Sequence, residues 1–110
     1  MENKENLQTV KRLFKFSIQM IDLYEYLIEQ NKKPIAVRLL GSTLNATSAY
    51  QNRIISDNRK EEKEYEQKTN NNLKNIIYWL EQCQKSGYLQ EAELLDEAYN
   101  LQKLCGINNT

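Results

Sequence analysis

Between Leu73 and Leu95 the chain reads LKNIIYWLEQCQKSGYLQEAELL, and no other stretch limits the fold so strongly. Leu73, Ile76, Ile77, Leu80 and Cys83 recur at the spacing that puts them on one side of a helix. Gly87 then supplies the left-handed residue on which helices commonly stop, and Lys85 stands in the last turn, beside the negative end of the macrodipole. Leu89, Ala92, Leu94 and Leu95 restart an apolar stripe at once. The stretch predicts two antiparallel helices joined by a tight Ser-Gly turn.

The rest of the chain extends this pattern to four helices. With 110 residues there is room for one domain spanning 1–110, and 3 Gly and 1 Pro leave long helices uninterrupted. The first helix is expected from about Asn6 to Gln30, with Val10, Leu13, Phe14, Ile18, Met20, Ile21, Tyr24, Leu27 and Ile28 forming a stripe broad enough to face two neighbours. Its charges oppose the macrodipole, because Lys11, Arg12 and Lys15 come early while Asp22, Glu25 and Glu29 come late. Packing overrides so small a penalty, and pairing across an interface is a second explanation. The second helix, about Pro34 to Ile55, crowds Gly41, Ser42, Thr43, Asn45, Thr47 and Ser48 into its centre. That composition fits either a close helix crossing inside a bundle or a polar surface lining a subunit contact or lumen.

The third helix is expected from about Asn58 to Ser86, opened by a capping-box spacing of Asn58 and Glu61. From Arg59 to Asn72 its only large apolar residue is Tyr65, so this half reads as a solvated or interface-facing arm, and core begins at Leu73. The fourth helix runs from about Leu89 to Cys105, with Leu94, Leu95, Ala98, Leu101, Leu104 and Cys105 inward and Gly106 closing it before a frayed INNT tail. The fold class is all-α, an antiparallel up-down-up-down four-helix bundle.

Several functions are disfavoured by composition. Histidine is absent, which removes the commonest general base and the Glu-x-x-His metal pattern of bundles. Cys83 and Cys105 lack further ligands for zinc, and no Gly-rich phosphate loop exists. The expectation is a non-enzyme without cofactor or metal. Both cysteines sit at apolar helical positions and read as buried free thiols. No apolar run is long enough to span a membrane, and MENKENLQTVKRLF lacks the apolar core of a signal peptide, so a cytoplasmic protein is expected.

Net charge is zero but unevenly spread. Residues 31–60 hold Lys32, Lys33, Arg38, Arg53, Arg59 and Lys60 against Asp57 alone, while residues 61–110 are acid-rich. Solvated faces explain this, as do complementary subunit surfaces or a local basic patch for an anionic partner. Tyr50 and Tyr65, flanked by polar sequence, are the candidate interface anchors, and Arg53 lies one turn from Tyr50.

The segment IIYWLEQCQKSGYL resembles the signature hairpin of the bacterial four-helix bundle proteins first noticed as products of intervening sequences in 23S ribosomal RNA genes. Tyr78, Trp79 and Leu80 correspond to the triplet closing helix three, and Gly87, Tyr88 and Leu89 to the turn opening helix four. On helix two, Arg38 and the Thr43-Leu44 pair are the counterparts present; the family's asparagine and glutamate are not in register. The resemblance implies a homo-oligomer, since relatives form ring-like pentamers. One branch, the accessory variability determinant proteins of diversity-generating retroelements, binds a reverse transcriptase and nucleic acid through a basic barrel. This chain lacks that basic composition. The function expected is therefore a homo-oligomeric scaffold or adaptor for a macromolecular partner. The alternatives are an RNA- or DNA-binding accessory protein using the six basic residues above, or a monomeric bundle acting as a phage- or immunity-type binding factor.

Overall fold

The first helix, α1 (Lys4–Glu29), stops on Asn31, whose φ of 61° puts it in the left-handed region. The Lys32 amide donates to the Leu27 carbonyl (2.8 Å) and the Asn31 amide to that of Ile28 (3.0 Å), so the two bonds of a Schellman motif close the helix. α3 (Arg59–Lys85) ends by the same device: Gly87 has φ 83°, the Tyr88 amide reaches the Cys83 carbonyl (2.8 Å) and the Gly87 amide that of Gln84 (3.2 Å). These caps turn the chain into α2 (Lys33–Ile54), with Pro34 in its first turn, and towards α4 (Glu93–Cys105). The remaining junction is set by Asn58, whose side chain accepts from the Glu61 amide at 2.8 Å, as the capping spacing predicts. The structure, a computed structural model, describes residues 4–89 and 92–105.

Cross-helix contacts give the topology. Ser17 meets Thr47, Arg53 meets Glu66, Tyr99 meets Glu81 and Arg12 meets Glu97, so α1 packs on α2, α2 on α3, α3 on α4 and α4 back on α1. Each pair is antiparallel, giving an up-down-up-down bundle 44 × 23 × 22 Å. No strand occurs among the described residues, and no helix there is long and apolar enough to cross a membrane. The shared core is built from Leu13, Phe16, Met20 and Leu27 of α1, Leu39 and Tyr50 of α2, Leu73, Ile76 and Leu80 of α3, and Leu101 of α4. Cys83 and Cys105 are buried and unpaired.

The inner part of α2 accounts for its weak helix formers. Thr43 and Thr47 are buried, and their hydroxyls donate to the Leu39 and Thr43 carbonyls at 2.7 and 2.9 Å. Ser17 does the same to Leu13 at 2.8 Å and lies 3.3 Å from the Thr47 hydroxyl. Back-bonding leaves these small polar residues satisfied in the core, where they let α1 and α2 approach closely. Asn45 and Ser48 face outward.

Four expectations need correction. The α1 stripe does not all face inward: Phe14, Ile18, Ile21 and Ile28 are exposed, and Phe16 and Leu23 occupy the core places. Leu104 is exposed rather than inward. α4 begins at Glu93, four residues later than its apolar pattern suggested. Core also begins before Leu73, because Thr69 is fully buried with its hydroxyl bonded to the Tyr65 carbonyl. The Gly106 stop and the INNT tail lie outside the described residues.

Gly87 supports a direct prediction. A Cβ there would meet nothing within 4 Å, so Gly87→Ala carries only the cost of a left-handed φ on an L-residue, about 1–2 kcal/mol. Chemical denaturation should register that loss with an unchanged m-value.

Candidate interaction surface

The basic residues of segment 31–60 are not one patch. α2 is 22 residues long, about 33 Å, and separates Lys32, Lys33 and Arg38 at one end of the bundle from Arg53, Arg59 and Lys60 at the other. Most already have partners within the chain. Lys32 lies over the Tyr88 ring (5.4 Å) and Arg38 over Trp79 (5.5 Å), which in turn meets Tyr78 edge-on at 4.9 Å. The two cations thereby tie α2 and the first turn to the α3–α4 hairpin. Arg53 lies over Tyr50 (5.4 Å) and donates to Glu66 at 3.0 Å, and Arg59 pairs with Glu62 at 3.5 Å. Lys33 and Lys60 project to solvent.

Tyr50 and Arg53 do not form the surface pair expected of them. Tyr50 is 2% exposed, and its hydroxyl donates to Asn6 Oδ1 at 3.1 Å. Burial pushes its phenol pKa up. The physical reason is helical phase: Tyr50 follows Ala36, Leu39, Thr43 and Ala46 on the inward face of α2, whatever the polarity of its sequence neighbours. Tyr65, on α3, is half-buried.

On the opposite flank, α1 and α4 leave an open cleft of about 290 Å³ lined by Arg12, Lys15, Phe16, Gln19, Glu93 and Glu97. Arg12 binds Glu97 through two nitrogens, at 2.6 and 3.0 Å, which raises the guanidinium pKa and neutralises the cleft's centre. No group of three His, Cys, Asp or Glu side chains suited to a metal occurs among the described residues.

The feature that stands out is an uncovered apolar face on α1 and α2. Phe14 (52% exposed) and Ile21 (41%) project from α1 near its α2 side, with the more exposed Ile18 (63%) beside them, and Val37 (49%) and Leu44 (52%) project from α2. The Ser17–Thr47 contact sets the register, placing Ile21 level with Leu44 and Ile28 level with Val37. Gly41 and Ser48 lie on this side of α2 and add little bulk, and a Cβ at Gly41 would meet nothing within 4 Å. Scattered exposed aliphatics are ordinary, but a contiguous face along two helices is the usual mark of an interaction surface. Sequence reading missed it by assigning the whole α1 stripe to the interior. The signal was present: Leu7, Phe14, Ile21 and Ile28 repeat every seven residues, a second phase beside the core phase of Leu13, Met20 and Leu27.

No protein-family model matches the chain, and no curated protein does. Among solved structures it is similar to a protein of unknown function from the S23 ribosomal protein family of Bacteroides thetaiotaomicron. That likeness has a TM-score of 0.85 at 15% identity and covers 92% of this chain and 94% of that one. At this identity the likeness is one of fold: a four-helix bundle matched from end to end.

Proposed function

We propose that this chain is a non-catalytic helical scaffold or adaptor, which associates with copies of itself and holds a macromolecular partner on the assembly. The observation carrying this reading is the apolar face of α1 and α2, which the bundle's own core does not use. Leaving about half of each of Phe14, Ile18, Ile21 and Leu44 in water forfeits about half of the ~1.5–3 kcal/mol that full burial of such a side chain is worth, and association recovers part of it. The end-to-end likeness to an S23-family bundle supports the resemblance to the 23S intervening-sequence proteins, and with it the idea of a homo-oligomer such as their pentameric rings. Two buried, unpaired thiols support a cytoplasmic setting. Nucleic-acid binding, by contrast, gains nothing from basic residues divided between two ends and engaged with aromatic rings and carboxylates.

Light scattering at low and high salt tests the reading. The expected mass is a multiple of 13.0 kDa, falling to one chain on Ile21→Asp while the helical signal persists, since Ile21 is exposed in the single bundle. A single-chain mass at every concentration would overturn it and leave the monomeric binding factor.

A further inference from the structure

We infer that the seam between α1 and α4 is a docking groove for an extended acidic segment of a partner protein, which sets one carboxylate on Arg12. This rests on the adaptor reading and names the chemistry of its partner; the seam lies apart from the α1–α2 face assigned to self-association. Two clefts follow one another along it and share Arg12 as a wall. The first, of about 290 Å³, takes Lys15, Gln19, Glu93 and Glu97, with buried Phe16 beneath. The second, of about 310 Å³, takes Asn6, Gln8, Thr9, Tyr50, Lys103 and Leu104. Each is near the ~300 Å³ at which ligand sites begin.

Arg12 presents the recognition edge. Its Nε and Nη2 hold Glu97 at 3.0 and 2.6 Å, Nη1 makes no bond among the described residues, and the side chain keeps 43% of its surface in water. A guanidinium carries its N–H donors in a planar fork, so the edge formed by Nη1 and the remaining N–H of Nη2 is left for a second carboxylate. Gln8, Arg12, Lys15 and Gln19 step by four, three and four residues, which puts them in one row along α1. The side chains of Gln8, Lys15, Gln19 and Lys103 make no bond among the described residues. From Gln8 to Gln19 the row spans about 16 Å of helix, the length of about five residues of extended chain. Side-chain amides offer a donor and an acceptor together, as the backbone of such a segment requires. Leu104, 47% exposed at the end of the groove, gives an aliphatic neighbour of the acidic residue its contact. Three cations and two carboxylates line the groove, and Arg12 already holds one of those carboxylates. The single excess positive charge matches a segment with one acidic residue. A nucleic-acid strand, with a phosphate at every nucleotide, would meet Glu93 and Glu97 as well.

Titration of the full chain with a blocked, fluorescein-labelled hexapeptide carrying one glutamate beside one leucine tests this, with light scattering on the same samples. Anisotropy should show saturable binding, and backbone amide NMR shifts should concentrate at residues 6–19 and 103–104. The glutamine analogue of the peptide should bind about tenfold more weakly. Arg12→Lys, which keeps the charge and loses the fork, should cost about tenfold as well. Lys15→Glu combined with Lys103→Glu should abolish binding, while Lys85→Glu, outside the groove, should leave it unchanged; all four side chains are exposed, so the helical signal persists in every variant. Equal binding of the glutamine analogue, or shifts centred elsewhere, would overturn the groove. So would succinate that matches the peptide in affinity, which would mark a small-molecule site, or a single-stranded RNA that binds the same residues more tightly. An assembled chain that ignores the peptide would overturn the groove and leave self-association standing. A single-chain mass with saturable peptide binding would overturn the scaffold and keep the groove.

Discussion

Phe16→Ala is expected to lower the unfolding free energy by about 3–5 kcal/mol, whereas Phe14→Ala, two residues earlier, should move it by no more than about 0.5 kcal/mol in the unassociated chain. Phe16 is 1% exposed, buried in the core beside the α1–α4 cleft, and Phe14 is 52% exposed. The first change removes buried atoms and leaves a cavity that close-packed neighbours fill only in part; the second removes a ring about half of which is already in water. Leu80→Ala, fully buried on α3, belongs with Phe16 at about 2–5 kcal/mol. Trp79→Ala should cost less than Leu80→Ala, because the indole packs on the core's edge beneath Arg38. Single domains have only about 5–15 kcal/mol to lose, so Phe16→Ala removes a large share of such a total. Urea unfolding at a protein concentration low enough to keep chains apart measures all four. Equal losses for Phe14→Ala and Phe16→Ala would reverse the phase assigned to α1.

Alkali should destabilise the protein well before backbone chemistry intervenes. Burial pushes the Cys105 thiol from an ordinary 9.0 up to about 12, the nearby Arg53 charge opposing the shift only in part. Below about pH 9 the thiol is protonated in folded and unfolded chains alike, and the native state keeps its full stability. Between about pH 9 and 12 the unfolded chain releases this proton while the folded one retains it, so stability falls by up to about 1.4 kcal/mol per pH unit. Burial raises the Cys83 thiol and the Tyr50 phenol too, and both add to the same loss. Unfolding free energies at pH 8 and pH 10.5 should therefore differ by on the order of 2 kcal/mol, and Cys105→Ala should flatten the slope. Equal pH slopes for parent and variant would mean that Cys105 is open to water in the folded state.

Much of the architecture was legible before any coordinates, because it is written in local patterns. Gly87, the Asn58–Glu61 spacing and Pro34 each act within a few residues of themselves, through backbone conformation or a single hydrogen bond. The Leu73–Cys83 stripe could be read for a related reason: the aliphatic residues there fall in a single phase, and all five members of the stripe are buried. α1 is different. It carries two apolar phases at once, Leu13–Met20–Leu27 and Phe14–Ile21–Ile28, and periodicity alone cannot rank them. Tyr50 failed for the opposite reason, since polar neighbours in sequence say nothing about which side of a helix a residue takes.

Residue types and their spacing were thus enough for four helices, the caps at Asn58 and Gly87 and two buried thiols, since each depends on interactions within a turn or two of chain. Which apolar row of α1 is core, where the basic residues of α2 end up, and which face is left without a neighbour depend on how the helices rotate about their own axes when they pack. That rotation is set by the fit of α2 and α4 against α1: the Ser17–Thr47 crossing brings α2 close on one side, and the Arg12–Glu97 fork ties α4 on the other. Between them they bury Phe16 and turn Phe14, Ile18 and Ile21 outward. Contacts between residues thirty to eighty-five positions apart make that choice, so local sequence leaves it open.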